Sequence, residues 1–182
     1  MQLINKLERL VLGWVKDIPH LPVVAQKWLA TNVWWIVLIG AIMTGLAALF
    51  TLVGLTASIA ILGSPSNAYY VAGSTYASWA IVTSAVNLFF FVIGGIILAA
   101  AVKPLKEVEK KGWVLLFLAW LVHVASVVVG AVLSLSVLGF ILNIIFGAIG
   151  IAITGYFLFE IHSQFAYVVR KAPKASESVK TV

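Results

Sequence analysis

From Trp28 to Val102 the chain carries no Asp, Glu, Lys or Arg, and a second charge-free run extends from Gly112 to Phe159. A water-soluble fold has to place charge on its outward faces, and neither run has any to place. Lipid is the solvent that tolerates such surfaces. It also requires the backbone to satisfy its own hydrogen bonds, which leaves helices or a closed barrel. The runs are long and continuous and lack period-two alternation, so helices are expected and strands are not. Composition agrees: 10% of residues are charged and 63% apolar, with a mean hydropathy of +1.11, against about 25% and 45–50% in a soluble domain.

Four apolar segments emerge, at Val33–Leu62, Ala77–Val102, Trp113–Leu138 and Phe140–Ile161. Each can cross a hydrocarbon core that takes about 20 helical residues. The first exceeds that length and is expected to tilt, to bend near Gly54 or to extend past the headgroups. Its apolar run is too long for the roughly 7–15-residue core of a cleavable signal peptide, so the N-terminus is expected to be retained. The predicted fold is an all-α integral membrane protein, a four-transmembrane-helix bundle occupying residues 32–162.

Charge sets the predicted topology. The twelve basic residues lie in the termini and in the loop Lys103–Lys111, the pattern of cytoplasmic segments. The connections 63–76 and 134–139 carry no charge and are expected to face outward, so both termini are cytoplasmic. A net charge of +6 distributed this way is a topology signal, and no basic patch interleaved with exposed aromatics points to nucleic acid. The expected location is a bacterial cytoplasmic membrane. Trp14, Trp28, Trp34, Trp35, Trp79 and Trp113 are candidate interface anchors, since indole suits the boundary between hydrocarbon and headgroups. Tyr69, Tyr70 and Tyr76 mark the same boundary at the outer end of the first hairpin, whereas Trp120 lies deeper.

Residues 1–31 read as an amphipathic helix and connector. Leu3, Ile4, Leu7, Leu10, Val11, Trp14, Val15 and Ile18 fall within an arc of about 140°, opposite Lys6, Arg9 and Lys16, with Leu12 as the exception. Pro19 and Pro22 end the segment. Anionic lipid headgroups are its expected contact, with docking against the bundle or a partner as the rival. Residues 163–182 form a basic tail whose composition predicts flexibility.

Small and polar residues recur at helical spacing in every span. Gly40, Gly94, Gly130, Gly147 and Gly150 are candidate packing positions, where a missing side chain lets backbones approach. Thr44, Asn87, His123, Ser126, Asn143 and Thr154 are candidates for a polar bundle core, bonded across helices, or for the lining of a polar path. No acidic residue sits at mid-membrane, where a cation or proton path commonly holds one. Glu160 lies at the end of the fourth span, and its expected partner is a basic residue of the adjoining loop or tail.

His123 stands near mid-depth and could act as a core hydrogen-bonding residue, a proton relay or a haem ligand. Bis-histidine haem ligation would need a second histidine at that depth, but His162 lies at the membrane edge and His20 outside. No cofactor is therefore called. Cysteine is absent, which removes disulfides and thiolate chemistry. Hydrolase elbows, zinc-protease motifs and phosphate loops are missing too. These features point to a non-enzymatic structural or accessory subunit that associates with lipid and assembles with itself or a partner membrane subunit. A small oligomeric channel or transporter is the alternative. An intramembrane enzyme or cofactor protein using His123 ranks third.

Overall fold

The computed structural model describes residues 19–63, 71–134 and 136–168, together with Lys6 and Gly13. The amphipathic N-terminal segment, Trp14, Tyr69, Tyr70 and most of the basic tail lie outside that set. Among the described residues the regular structure is entirely helical: α1 (Val23–Leu62), α2 (Val71–Lys106), α3 (Lys110–Val132), α4 (Val137–Glu160) and a short α5 (His162–Val168). Four of these helices are long and apolar enough to cross a membrane.

α1 starts where Pro22 stops restricting the backbone, and the Pro22 carbonyl accepts the Gln26 amide at 3.0 Å to close the first turn. The helix therefore includes residues 23–31, which the apolar pattern leaves in the connector. Its 40 residues give a length of about 60 Å at 1.5 Å per residue, roughly twice a hydrocarbon core. It runs through Gly54 without interruption.

The α3–α4 turn is longer than the single residue the apolar segments leave between them. α3 ends at Val132 rather than Leu138, and Ser136 caps α4 by accepting the Gly139 amide at 3.0 Å. That hydroxyl satisfies one of the orphan donors of the first turn, the reason serine outranks the neighbouring leucines as a helix start. Gly139 is needed for the approach, since a Cβ there would lie 2.8 Å from Ser136 Oγ.

At the charged loop, α2 closes in a Schellman motif. The Glu109 amide reaches the Pro104 carbonyl at 2.8 Å and the Val108 amide reaches Leu105 at 3.0 Å. Val108 occupies the left-handed position at φ 54°, usually held by glycine. Its side chain packs onto the buried core, which offsets a strain of about 1–2 kcal/mol. Gly112 lets α3 start directly against this corner: a Cβ would sit 2.7 Å from the Leu105 nitrogen.

Helices adjacent in sequence pack as pairs, α1 on α2, α2 on α3 and α3 on α4, and α5 folds back onto α3, α1 and α4. α1 and α4 form no comparable seam, so the bundle is not closed. The buried core gathers at the end bearing the Lys103–Lys111 loop, where Val33 and Val37 of α1 meet Leu105, Trp113, Phe117, Phe159 and Phe165. Rings carry much of it. Trp113 stacks on Phe117 with centroids 5.4 Å apart, and Phe159 meets both edge-on at 6.0 and 5.9 Å. Beyond this core the helices present large apolar side chains outward, among them Leu49 and Phe50 of α1 and Phe146 and Ile149 of α4.

Candidate functional site

The hydroxyls of the polar stripes do not bond across helices as the sequence pattern predicts. Thr44 Oγ1 donates to the Gly40 carbonyl at 2.8 Å, Ser126 Oγ to His123 at 2.7 Å and Thr154 Oγ1 to Gly150 at 2.6 Å. Each turns back onto its own helix, where a carbonyl three or four residues earlier is always within reach and no second helix has to be positioned. A hydroxyl satisfied in this way can face an open space.

The fold supplies that space. A cavity of about 560 Å³ lies among α2, α3 and α4, with Thr44 contributed by α1. All six residues singled out as polar core or path line it: Thr44, Asn87, His123, Ser126, Asn143 and Thr154. Phe90, Phe91, Trp120 and Leu158 supply apolar wall, and no charged side chain lines the cavity. A second cavity of about 360 Å³ shares Asn87, Gly130 and Asn143 with the first and continues past Thr83 to Trp79 and Ser134. The two make a polar track from the end away from the charged loop to His123, and the aromatic core lies beyond. The Asn143 side-chain oxygen is buried without a hydrogen-bond partner among the described residues. His123 and Asn87 are exposed to the open side.

Packing glycines divide into two groups. Gly130, Gly147 and Gly150 lie in the α3–α4 seam. A Cβ on Gly147 would collide with the Val127 methyls, one on Gly130 would lie 3.1 Å from Asn143 Nδ2, and one on Gly150 would lie 3.7 Å from His123 Nε2. Gly40 and Gly94 have nothing within 4 Å of a Cβ position, and Gly94 lines the cavity. Gly155, which the stripe omits, admits the Trp120 indole, whose Nε1 would lie 3.2 Å from a Cβ there.

Three tryptophans tie helices together through their indole nitrogens. Trp113 is fully buried and donates to the Leu158 carbonyl at 2.9 Å, while Trp120 donates to Ile151 at 3.1 Å. Donors seven residues apart on α3 thus meet carbonyls seven apart on antiparallel α4, two turns matched against two turns. Trp79 donates to the Leu133 carbonyl at 2.8 Å and ties α2 to the exposed end of α3. Trp28 and Trp35 are exposed, and the Lys106 ammonium lies over the Trp34 ring, 5.3 Å from its centroid.

Glu160 is only 3% exposed, and its partners come from the other end of the chain. Oε1 accepts from His20 Nδ1 at 2.6 Å, and Oε2 accepts from the Leu21 amide at 2.9 Å and Gln26 Nε2 at 3.0 Å. The expected partner in the basic loop or tail is thus replaced by the α1 entry segment. A carboxylate at the C-terminus of α4 opposes its own helix dipole, but here it faces the N-terminus of α1, which lacks an acidic residue in its first turn and favours negative charge. One turn earlier, the Tyr156 hydroxyl donates to the Pro19 carbonyl at 2.9 Å. The His162 ring packs against Trp113 with centroids 4.5 Å apart.

No protein-family model, curated protein or solved structure matches this chain. Its function is therefore argued from the geometry above. The residues singled out as a polar core or path line one cavity, but sequence reasoning missed His20, the Leu21 amide and Gln26 as the binding set for Glu160 and Tyr156 as the partner of Pro19. The available signal was a lone carboxylate ending a charge-free span and a histidine bracketed by Pro19 and Pro22.

Proposed function

We propose that this is a non-enzymatic, multi-pass membrane component that assembles with a second copy or a partner membrane subunit. The observation that supports this reading is the thin contact between α1 and α4 beyond the charged-loop end, which leaves Leu49 and Phe50 of α1 and Phe146 and Ile149 of α4 exposed, with open space beyond the Cβ position of Gly40. Small residues on a lipid-exposed helix favour close approach by another helix. The absence of cysteine makes the test direct, because single cysteines at Leu49, Phe50, Phe146 and Ile149 report only on those faces. A cross-linked dimer at one or more of these positions in native membranes is expected, with Val114 on α3 as the control. A chain that stays monomeric in nanodiscs and forms no cross-link at any of the four would overturn the reading.

Both termini and the Lys103–Lys111 loop are assigned to the cytoplasm on the distribution of basic residues. The N-terminal amphipathic segment is proposed to lie along that membrane face, with its apolar arc in the lipid and its basic residues meeting anionic headgroups. Reporter tags at residue 1, within Lys106–Lys111 and at Val182 are expected to read cytoplasmic, and a tag at Ser66 external. A cytoplasmic Ser66 would reverse the topology.

The two connected cavities favour a second reading, a channel or transporter subunit. Within one chain the track stops short of the charged-loop end at Trp113, Phe117 and Phe159, so conduction would require that cluster to part.

A further inference from the structure

We infer that the cavity around His123 and Asn143 is a binding site for a neutral, hydroxyl-bearing amphiphile drawn from the lipid phase. The inference goes beyond assembly and follows from which hydrogen-bonding groups the cavity leaves unused. Thr44, Ser126 and Thr154 spend their protons on their own helices. Asn143 contributes a buried oxygen that has no donor among the described residues, and His123 and Asn87 bring an imidazole and an amide to the same space. A ligand suited to these groups must both donate and accept. A hydroxyl does both with one atom, whereas hydrocarbon does neither and would leave the buried oxygen unpaired.

Charge narrows the class further. No Lys, Arg, Asp or Glu lines the cavity, so a phosphate or ammonium headgroup would be desolvated there without a counter-charge. Size and wall chemistry favour an apolar body behind the hydroxyl. The cavity volume of about 560 Å³ lies in the range of sites that enclose small molecules. Phe90, Phe91, Leu98, Leu116, Trp120 and Leu158 offer the apolar contact. Access comes from the membrane, because α1 and α4 pack little beyond the charged-loop end and the aromatic core occupies that end.

The test uses dioctanoylglycerol as probe, titrated into the full chain in nanodiscs and followed by tryptophan fluorescence, with Trp120→Phe identifying the cavity signal. Dioctanoyl phosphatidic acid matches its chains and replaces the hydroxyl with a charge, and trioctanoylglycerol has no hydroxyl. Glycerol is the water-borne source of the same group. Saturable binding of dioctanoylglycerol alone is expected, weakened roughly tenfold in Asn143→Leu, in line with loss of one buried hydrogen bond. Because Asn143→Leu alters the α3–α4 seam, Gly94→Leu is the second variant. It projects a side chain from a cavity-lining position with no atom within 4 Å of its Cβ, so folding persists while binding is lost. Equal signals from all three lipids would reduce the effect to partitioning and overturn the proposal. Displacement by glycerol at comparable concentration would overturn the lipid source, and unchanged binding in both variants would overturn the site.

Discussion

Glu160→Leu is expected to destabilise the protein by on the order of 3 kcal/mol, because it strips a buried carboxylate from three donors at once. The Leu21 amide and Gln26 Nε2 lose their acceptor in a part-buried setting, and apolar bulk offers no substitute. His20 is affected less, since its side chain is 55% exposed against 0% for Glu160 and water can replace the lost bond. The predicted order of destabilisation is therefore Glu160→Leu, then Glu160→Gln, then His20→Ala. Glu160→Gln keeps the shape and one acceptor oxygen but loses the charge that faces the α1 N-terminus. Thermal unfolding in detergent gives the order, and amide exchange at Leu21 gives the mechanism. An unprotected Leu21 amide in the wild type, or equal stability of all four proteins, would show that the clamp does not hold the α1 entry.

Gly147→Ala is the second large effect. The added methyl would overlap Val127, a β-branched residue with one strongly preferred helical rotamer, so it cannot turn aside. α3 and α4 must separate instead, which also lengthens the Trp113 and Trp120 bonds to the α4 carbonyls. Overpacking of this kind costs about 1–3 kcal/mol, even though alanine is the better helix former by about 1 kcal/mol. The comparison is with Gly94→Ala, where open space lies beyond the Cβ and only the propensity gain is expected, and with Ile144→Ala at a side chain 42% exposed. If Gly147→Ala melts no lower than Gly94→Ala, the α3–α4 seam is looser than its contacts indicate.

The contrast between those two glycines shows where sequence periodicity runs out. Both occupy small-residue stripes, and the 3.6-residue period assigns each to a face without naming the neighbour. Gly147 meets Val127, while Gly94 lines a cavity with nothing within 4 Å of its Cβ position. The same limit applies to the polar residues. Spacing placed His123, Asn87 and Asn143 on inward faces, and whether those faces touch or stand apart depends on the side chains that wedge the helices at one end.

The sequence by itself determined four long apolar helices, the basic loop and the polar stripe on each helix, since these follow from charge-free length and local period alone. Tertiary structure alone decided that α1 and α4 would meet at the charged-loop end and pack little beyond it, that hydroxyls would turn back onto their own helices and that Glu160 would bind His20, a residue 140 positions away. The physical reason is range. Helix formation and burial pattern depend on residues within a turn or two of each other, but a clamp between chain ends and a cavity between helices depend on how whole helices are placed. In this chain that placement is set by a few large rings, Trp113, Phe117, Trp120 and Phe159, whose partners no local pattern encodes.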